Sequence, residues 1–196
     1  MMQRRLEPEL MNGDTQVQAY AAADFSSGDQ ATIEAIQGLL SRTSPLPPDP
    51  LVVDLGCGPG NITLRLAGLF PKARIIGIDG AESMLAFARE RAQQQQLGIS
   101  FLCQTLQEVL RGALLGQADL IVSNSLLHHL HQPDLLWMVT RDLAAPGCRT
   151  LHRDLRRPAS SDAEIQQLLL KHCHRLQRCC STISLPRWRR PSNLRR

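Results

Sequence analysis

The stretch LVVDLGCGPG, residues 51–60, constrains the fold of this chain more than any other part of it. Three aliphatic residues lead up to Asp54, and glycines follow at the alternate positions 56, 58 and 60. The sequence after Gly60 has the spacing of an amphipathic helix. Because glycine permits a tight turn and a close approach of the backbone, the pattern predicts a buried strand, a turn against a ligand and a helix.

Aliphatic segments and amphipathic segments alternate along the rest of the chain. Further strands are predicted over residues 73–79, 99–103, 118–123 and 148–155, and helices over residues 61–69, 82–91, 106–115 and 133–147. Strands this rich in aliphatic residues are typical of a parallel sheet that is covered on both faces. We therefore predict an α/β fold: a Rossmann-like, doubly wound, mostly parallel sheet with helices on both faces.

Prolines between residues 44 and 50 separate an N-terminal part from this alternation. The N-terminal part is predicted to hold a short helix over residues 14–27 and a second helix capped by Asp29, with Ile33 and Ile36 on its buried face. We expect residues 1–50 to form a helical lid and linker, residues 51–170 the core, and residues 171–196 a basic, poorly ordered tail. Tyr20 and Phe25 belong to the expected lid.

Composition argues against several classes of partner. The net charge of +4 comes from residues 174–196, which hold seven arginines and no acid, so the chain as a whole does not have the charge of a nucleic-acid binder. It lacks the long apolar run of a membrane span, and its first residues lack the apolar region of a signal peptide. Six cysteines without framework spacing indicate reduced thiols, and hence a cytoplasmic location.

The carboxyl ends of parallel strands form the usual ligand site of such a fold. That rule brings the glycine turn together with Asp79, Thr105 and Asn124. Dinucleotide-binding turns read G-x-G-x-x-G, whereas this one reads D-x-G-x-G-x-G, with Asp54 two residues before the first glycine. A carboxylate there repels a pyrophosphate and suits a ligand that carries positive charge, although a simple cap of the turn is the alternative. A nicotinamide dehydrogenase stays open but is disfavoured by the spacing.

Three segments carry a resemblance to a known family: VVDLGCGPGNITLRLA, IIGIDGAESMLAFAR and ADLIVSNSLLHHL. Together they resemble the class I S-adenosylmethionine-dependent methyltransferases of the small-molecule type, over roughly residues 14–157. The resemblance implies a seven-stranded sheet with S-adenosylmethionine across the first, second and fourth strands, and methyl transfer to a small-molecule acceptor. No membrane partner is implied, nucleic acid is disfavoured, and the sequence leaves the oligomeric state open.

The same resemblance implies roles for individual residues. Asp54 is expected near the amino-acid end of the cofactor, Asp79 at both ribose hydroxyls, and Gly80 beside the adenine. Met84 is expected to flank the adenine together with Gly80, and a position in the core is an equal alternative for it. The cofactor-binding set predicted in this way is Asp54, Gly56, Gly58, Gly60, Asn61, Asp79, Gly80, Met84, Thr105, Leu106 and Asn124.

One feature departs from the family, and the role of the histidines stays open. The family often has an acid after the third strand, where this chain has Thr105 and Leu106, which weakens the expected contact with adenine. Of the clustered histidines 128, 129 and 131, His129 is a candidate general base, with packing under the next helix as the alternative. No metal site is predicted, because neighbouring side chains do not share a helix face.

The C-terminal part is the second departure. After residue 170 the composition changes to Arg, Cys, Trp and Pro, and within that stretch residues 181–185 alone resemble a strand. We expect the last two strands of the family to be lacking, as in a truncated or frame-shifted end. A binding-only, catalytically defective remnant is therefore an alternative to an active enzyme.

Overall fold

The computed structural model describes residues 9–11 and 13–155. The helices in this part are α1 (Asp14–Ala22), α2 (Ser26–Leu40), α3 (Asn61–Leu69), α4 (Glu82–Gln94), α5 (Leu106–Val109) and α6 (Asp134–Leu143). The strands are β1 (Leu51–Leu55), β2 (Arg74–Asp79), β3 (Ile99–Cys103), β4 (Ala118–Asn124) and β5 (Ala144–Arg153). Within these residues, none of the helices has the length and apolar character needed to cross a membrane.

The five strands form one parallel sheet in the order β3-β2-β1-β4-β5. At its centre, Val53 of β1 lies opposite Ile76 of β2 and Ile121 of β4. The chain winds outward from β1 to β3 and then returns to place β4 on the other side of β1. The strand order therefore reverses at β1 and β4, which is where open α/β sheets leave a crevice for a ligand.

Alternate residues of β1 pack against different helices. Val53 and Leu55 lie in a cluster with the buried residues of α5 and α6. Val52 lies in a second cluster with Ile33 of α2 and Leu66 of α3. Each fully buried aliphatic side chain contributes on the order of 1.5–3 kcal/mol, so both faces stabilise the sheet. The predicted doubly wound α/β sheet with helices on both faces is confirmed.

Several helix boundaries before α6 differ from the sequence prediction. Helix α1 ends at Ala22, five residues before the predicted end. Helix α2 begins at Ser26, and Asp29 lies buried in its first turn instead of capping it. The carboxylate of Asp24 accepts the hydrogen bond from the Ser26 amide instead, at 2.9 Å. Helix α5 ends at Val109, six residues before the predicted end, because the amide of Gly112 bonds back to the carbonyl of Val109 and tightens the chain into turns.

The end of α6 and the start of β5 also differ from the prediction. Helix α6 ends at Leu143, and Gly147, its predicted terminator, lies inside β5. Pro146 explains this difference, since it lacks an amide hydrogen and disfavours helical backbone in the residue before it. The pairing with β4 shifts between Ala118 and Leu120, where residues 145–148 bulge out of the register. Strand β5 thus begins four residues before the predicted start and ends two residues before the predicted end.

Several predictions fall on residues outside the described part. They are a helix that the capping-box sequence SDAE at residues 161–164 predicts, the strand over residues 181–185, the basic tail and the absence of the last two family strands. These predictions, and the division of the chain at residues 50 and 170, stay predictions.

Candidate functional site

A cavity of about 620 Å³ opens at the carboxyl ends of the strands, over β1, β2 and β4. Its volume falls in the range of ~300–1,000 Å³ that is usual for sites of drug-sized ligands. All but one of the predicted cofactor-binding residues line it: Asp54, Gly56, Gly58, Asn61, Asp79, Gly80, Met84, Thr105, Leu106 and Asn124. The structure therefore brings together residues that are up to 70 positions apart in the sequence.

The glycine turn has the left-handed backbone that its sequence predicts. Gly56, Gly58 and Gly60 have φ angles of +69°, +52° and +84°. A Cβ atom on Gly56 would lie 2.8 Å from the side chain of Leu126, whereas one on Gly58 would meet nothing within 4 Å. Gly58 thus presents bare backbone to open space, as a close approach to a ligand requires.

Gly60 is the predicted residue outside the cavity lining. It is the N-cap residue of α3, and a Cβ atom there would lie 3.1 Å from that of Ala88 in α4. Its backbone therefore brings α3 close to α4. Asn61, the next residue, does line the cavity, and its side-chain oxygen accepts a hydrogen bond from Arg91 at 2.8 Å.

Asp54 is almost fully buried, with 1% of its surface exposed. Its Oδ2 atom accepts a hydrogen bond of 2.6 Å from the hydroxyl of Thr63 in α3. Burial raises the pKa of Asp54 to about 7, although the Thr63 bond acts in the opposite direction. The side chain therefore joins β1 to α3 instead of capping the glycine turn, whose Gly58 amide donates to Asp79, and it lines the cavity as well.

Asp79 ends β2 and holds the glycine turn. Its Oδ2 atom accepts a hydrogen bond from the Gly58 amide and its Oδ1 atom one from the Ala81 amide, each at 2.8 Å. Burial raises the pKa of this carboxyl, while the two amide bonds and the charge of His129 act to lower it. Each carboxylate oxygen has a further lone pair that could accept a ligand hydroxyl.

Thr105 and Leu106 follow β3, as predicted. The hydroxyl of Thr105 forms a capping box with Glu108 at the start of α5, so it is engaged within the chain. Leu106 is buried and lines the cavity. Met84 is 3% exposed and packs with Val17 and Ala81, so the core position and the cavity position are both realised in one side chain.

Asn124 ends β4 and connects the sheet to the N-terminal helices. Its Oδ1 atom accepts a hydrogen bond of 3.1 Å from Thr32 of α2, and Arg153 at the end of β5 donates to the same threonine at 2.7 Å. Ser125, which follows, has a φ of +60°, a conformation that costs energy outside glycine. Helix α2 is thereby fixed at the edge of the cavity.

The N-terminal segment covers the part of the cavity next to Gly80. Leu10 packs against this glycine so closely that a Cβ atom there would lie 2.6 Å from the leucine. Glu9 accepts a hydrogen bond of 2.6 Å from the backbone amide of His131, and the carbonyl of Met11 accepts one from Ser83. The segment therefore bridges two sides of the site where the adenine was expected.

His128 and His129 both line the cavity, with ring centroids 4.1 Å apart. The Nδ1 atom of His128 lies 2.7 Å from the Oδ1 atom of Asp154, while the charge of His129 acts on Asp79. The two rings thus face different carboxylates.

Sequence reasoning missed Asp154, Arg153 and the position of Asp29 at this site. For Asp154 a signal existed: it is an acid directly after the end of β5, Asp79 is the last residue of β2, and the same strand-end rule applies to both. The apolar pattern of β5 is too weak to show where this strand ends, so Asp154 was not predicted at the site. For Asp29 no local signal existed, because its place depends on how α2 packs.

A site of this form defines a class of protein. A glycine turn after β1, an acid at the end of β2 and a cavity across their ends are typical of proteins that bind a nucleoside-containing cofactor. The open space above Gly58 leaves room for such a cofactor close to the protein backbone. The two carboxylate oxygens of Asp79 are suited to accept hydrogen bonds from its ribose.

Comparisons with known proteins specify the class further. The family model described as a methyltransferase domain matches residues 52–147. Trans-aconitate 2-methyltransferase of Variovorax paradoxus (strain S110) is 44% identical over 114 residues, which cover 57% of this chain and 40% of that relative. Malonyl-(acyl-carrier protein) O-methyltransferase of Bacillus anthracis is 39% identical over 80 residues, which cover 41% of this chain and 28% of that relative.

Solved structures agree on the fold. A SAM-dependent methyltransferase from Aquifex aeolicus has a TM-score of 0.59 and 18% identity, covering 82% of this chain and 88% of that one. Residues 52–147 thus match a methyltransferase domain by sequence, and the solved structure agrees with this chain in fold, as the resemblance to the S-adenosylmethionine-dependent methyltransferases predicts. The predicted resemblance is confirmed. The chain spans less than half the length of the curated relatives named above.

Proposed function

We infer that this chain binds S-adenosylmethionine in the cavity and transfers its methyl group to a small-molecule acceptor. The observation that carries this inference is the hydrogen bond between Asp79 and the Gly58 amide, which fixes the β2 acid against the glycine turn. The family match over the same residues supports it. The trans-aconitate and malonyl-(acyl-carrier protein) enzymes support a small-molecule or carrier-bound acceptor in general, but not its identity.

The residues of the chain divide the work of holding the cofactor. The Asp79 carboxylate accepts hydrogen bonds from the ribose hydroxyls, as it already does from two amides. Gly56 and Gly58 let the methionine portion lie close to the backbone, with Asn61 beside it, while Gly60 keeps α3 in place for that approach. Leu106, Met84 and Gly80 provide apolar surface for the adenine beside Thr105.

When bound, S-adenosylmethionine supplies a methyl group already activated by the positive charge on sulfur. The chain therefore needs to orient the acceptor and to exclude water. Leu10 and the aromatic residues Tyr20 and Phe25 line the cavity on the side of the N-terminal helices. Residues 1–50 act as the lid in this proposal. Asp54 lies at the amino-acid end, and Asn124 beside the methionine.

We further propose a cytoplasmic location. Cys57, Cys103 and Cys148, the cysteines in the described part, are free. A reducing, cytoplasmic location suits them.

Calorimetric titration of the full chain with S-adenosylmethionine, S-adenosylhomocysteine and NAD tests the proposal. We expect the first two to bind at micromolar concentrations and NAD not to bind. Transfer of a labelled methyl group to components of a small-molecule extract is the second measurement. Binding of NAD in place of the two sulfur compounds, or labelling of protein or nucleic acid alone, would contradict the proposal.

A further inference from the structure

His128 and Asp154 form an oriented pair in the cavity lining. The Nδ1 atom of His128 lies 2.7 Å from Oδ1 of Asp154. This carboxylate has 15% of its side chain exposed and also accepts hydrogen bonds from the backbone amides of Leu127 and Leu155. Three donors on one carboxylate fix its position, and the carboxylate in turn fixes the ring.

The pairing also determines where the ring carries its proton. An ionised carboxylate only accepts hydrogen bonds, so Nδ1 of His128 is the protonated nitrogen and Nε2 the basic one. If Nε2 takes up a proton, the negative charge of Asp154 stabilises the resulting imidazolium. A histidine oriented in this way by a carboxylate is suited to accept a proton from a bound molecule.

The charges around the pair indicate what kind of molecule gives up that proton. Among the described residues that line the cavity, Arg153 is the sole arginine or lysine. The carboxylates that line it are Glu9, Asp24, Asp29, Asp54, Asp79 and Asp154. Arg153 donates hydrogen bonds to the carbonyl of Gly28 and to the hydroxyl of Thr32, so its guanidinium is held against α2.

Some of these carboxylates contribute little charge, and the lining is still negative without them. Burial raises the pKa of Asp54 to about 7, and Asp29 is 3.7 Å from the guanidinium of Arg65. Asp24 is different, because the Ser26 hydrogen bonds lower its pKa. Together with Glu9 and Asp154, it leaves a cavity that attracts cations and repels anions.

Aromatic surface accompanies the charge. The rings of Tyr20 and Phe25 lie 4.7 Å apart between centroids, and both residues line the cavity. Burial raises the pKa of Tyr20, and the charges of Asp29 and Asp79 raise it further, so the hydroxyl stays neutral. Aromatic rings next to carboxylates are a favourable environment for an organic cation.

From these observations the structure assigns a positively charged amine as the methyl acceptor, with His128 as the group that removes its proton and Asp154 as the positioning residue. This assignment rests on the proposed methyltransferase function. A carboxylate acceptor, such as the trans-aconitate named for one relative, is already a nucleophile and needs no proton acceptor. It would also enter a cavity of its own charge.

In the proposed reaction, proton transfer to His128 precedes methyl transfer from sulfur. The bound ammonium, R–NH₃⁺, gives one proton to Nε2 of His128, which leaves a neutral amine with a lone pair and an imidazolium beside Asp154. The lone pair forms the new N–C bond as the methyl–sulfur bond breaks and leaves its electrons on sulfur, so the sulfonium becomes a thioether. The product is R–NH₂⁺–CH₃, and His128 returns its proton to water.

The first test measures binding without turnover. The full chain is loaded with S-adenosylhomocysteine, which lacks the sulfonium charge, and titrated with benzylamine, benzyl alcohol and benzoate as probes of similar size. We expect the benzylammonium ion to bind about tenfold more tightly than benzyl alcohol, and benzoate more weakly than either. D24N should weaken the binding of benzylammonium and leave that of the other two probes unchanged. E34Q, which removes an exposed acid of α2, should leave the binding of all three probes unchanged.

The outcomes distinguish failure of the proposed methyltransferase function from failure of the amine assignment. Failure of S-adenosylhomocysteine to bind would overturn the proposed function and this assignment with it. If it binds but benzoate binds more tightly than benzylamine, or if none of the probes binds, the amine assignment alone is overturned. In the last case the negative lining serves the sulfonium of the cofactor.

The second test addresses the pair itself. In protein labelled with ¹⁵N at histidine, at about pH 8, where an ordinary imidazole is neutral, the ring signals of His128 are identified by their loss in H128Q. We expect the Nδ1–H form in the wild type and a shift toward the Nε2–H form in D154N. Rates of methyl transfer to benzylamine should fall in both variants. An unchanged tautomer in D154N would contradict the positioning role.

Discussion

The Oδ2 atom of Asp79 lies 2.8 Å from the amide nitrogen of Gly58. This hydrogen bond joins the end of β2 to the turn that follows β1, although the two residues are 21 positions apart in sequence. It gives the turn its position and leaves the carboxylate at the cavity with both oxygens already oriented. The orientation of this carboxylate is therefore set by hydrogen bonds within the chain itself.

Substitution of Asp79 by Asn tests this relationship. Asparagine has one acceptor oxygen where two amide donors point at the side chain. Since a hydrogen bond to a charged group contributes about 1.5–3 kcal/mol, we expect the affinity for S-adenosylhomocysteine to fall roughly tenfold to a hundredfold in calorimetry. E82Q is the control, because Glu82 lies three residues after Asp79 and makes an exposed ion pair with Arg89. An equal loss in both variants would contradict the assignment.

Gly58→Ala separates ligand contact from backbone strain. Both Gly58 and Gly116 have positive φ angles, +52° and +70°, and a Cβ atom would meet nothing within 4 Å at either. We expect G58A and G116A to lose similar stability, about 1–2 kcal/mol, in denaturant unfolding. Gly58 alone lines the cavity, so only G58A should weaken S-adenosylhomocysteine binding. Full affinity in G58A would show that the ligand does not approach this turn.

The buried Asp54 predicts how stability depends on pH. Its pKa is raised from 3.8 to about 7, so between these values the folded chain binds a proton that the unfolded chain has released. The contribution of Asp54 to stability is therefore fully present below about pH 4, falls as the pH rises toward 7, and is level above it. The total is on the order of 4 kcal/mol, at about 1.4 kcal/mol per pKa unit.

The comparison with D54N measures this contribution. Urea unfolding of the ligand-free chain at several pH values should show a shallower slope for D54N, while Asp79 and Asp29, whose pKa values are also raised, retain their part. His152, whose pKa burial lowers, acts in the opposite direction in both proteins. Parallel curves for wild type and D54N would contradict the raised pKa.

Leu10 provides a test of the lid. It packs on Gly80 at the side of the cavity proposed for adenine. We expect L10A to release S-adenosylhomocysteine several times faster in stopped-flow displacement, because less apolar surface covers the ligand. L115A removes a leucine of similar exposure, 42% against 37%, outside the cavity lining and should leave the release rate unchanged. Equal rates in L10A and wild type would argue against a covering role.

Local patterns predicted the elements whose causes are local. The β1 run, the glycines after it and Asp79 follow from apolar spacing and the strand-end rule, and the structure places them as expected. The boundaries of α5 and β5 did not follow. Gly112 ends the helical backbone early, and Pro146 brings the chain into β5 before the predicted terminator Gly147. Both signals stood in the sequence, but periodicity outweighed them in the prediction.

The sequence by itself determined the sheet, the turn and the acid at the end of β2, because strands, glycine turns and helices depend on residues within a few positions of each other. The tertiary structure alone decided which distant groups meet. Asp154 reaches His128 across 26 positions, and Thr32 reaches Asn124 across 92. Contacts of that kind depend on how helices pack on an open sheet. The LVVDLGCGPG turn thus supports the proposed cofactor site, and the pair at the end of β5 supports the proposal for its acceptor.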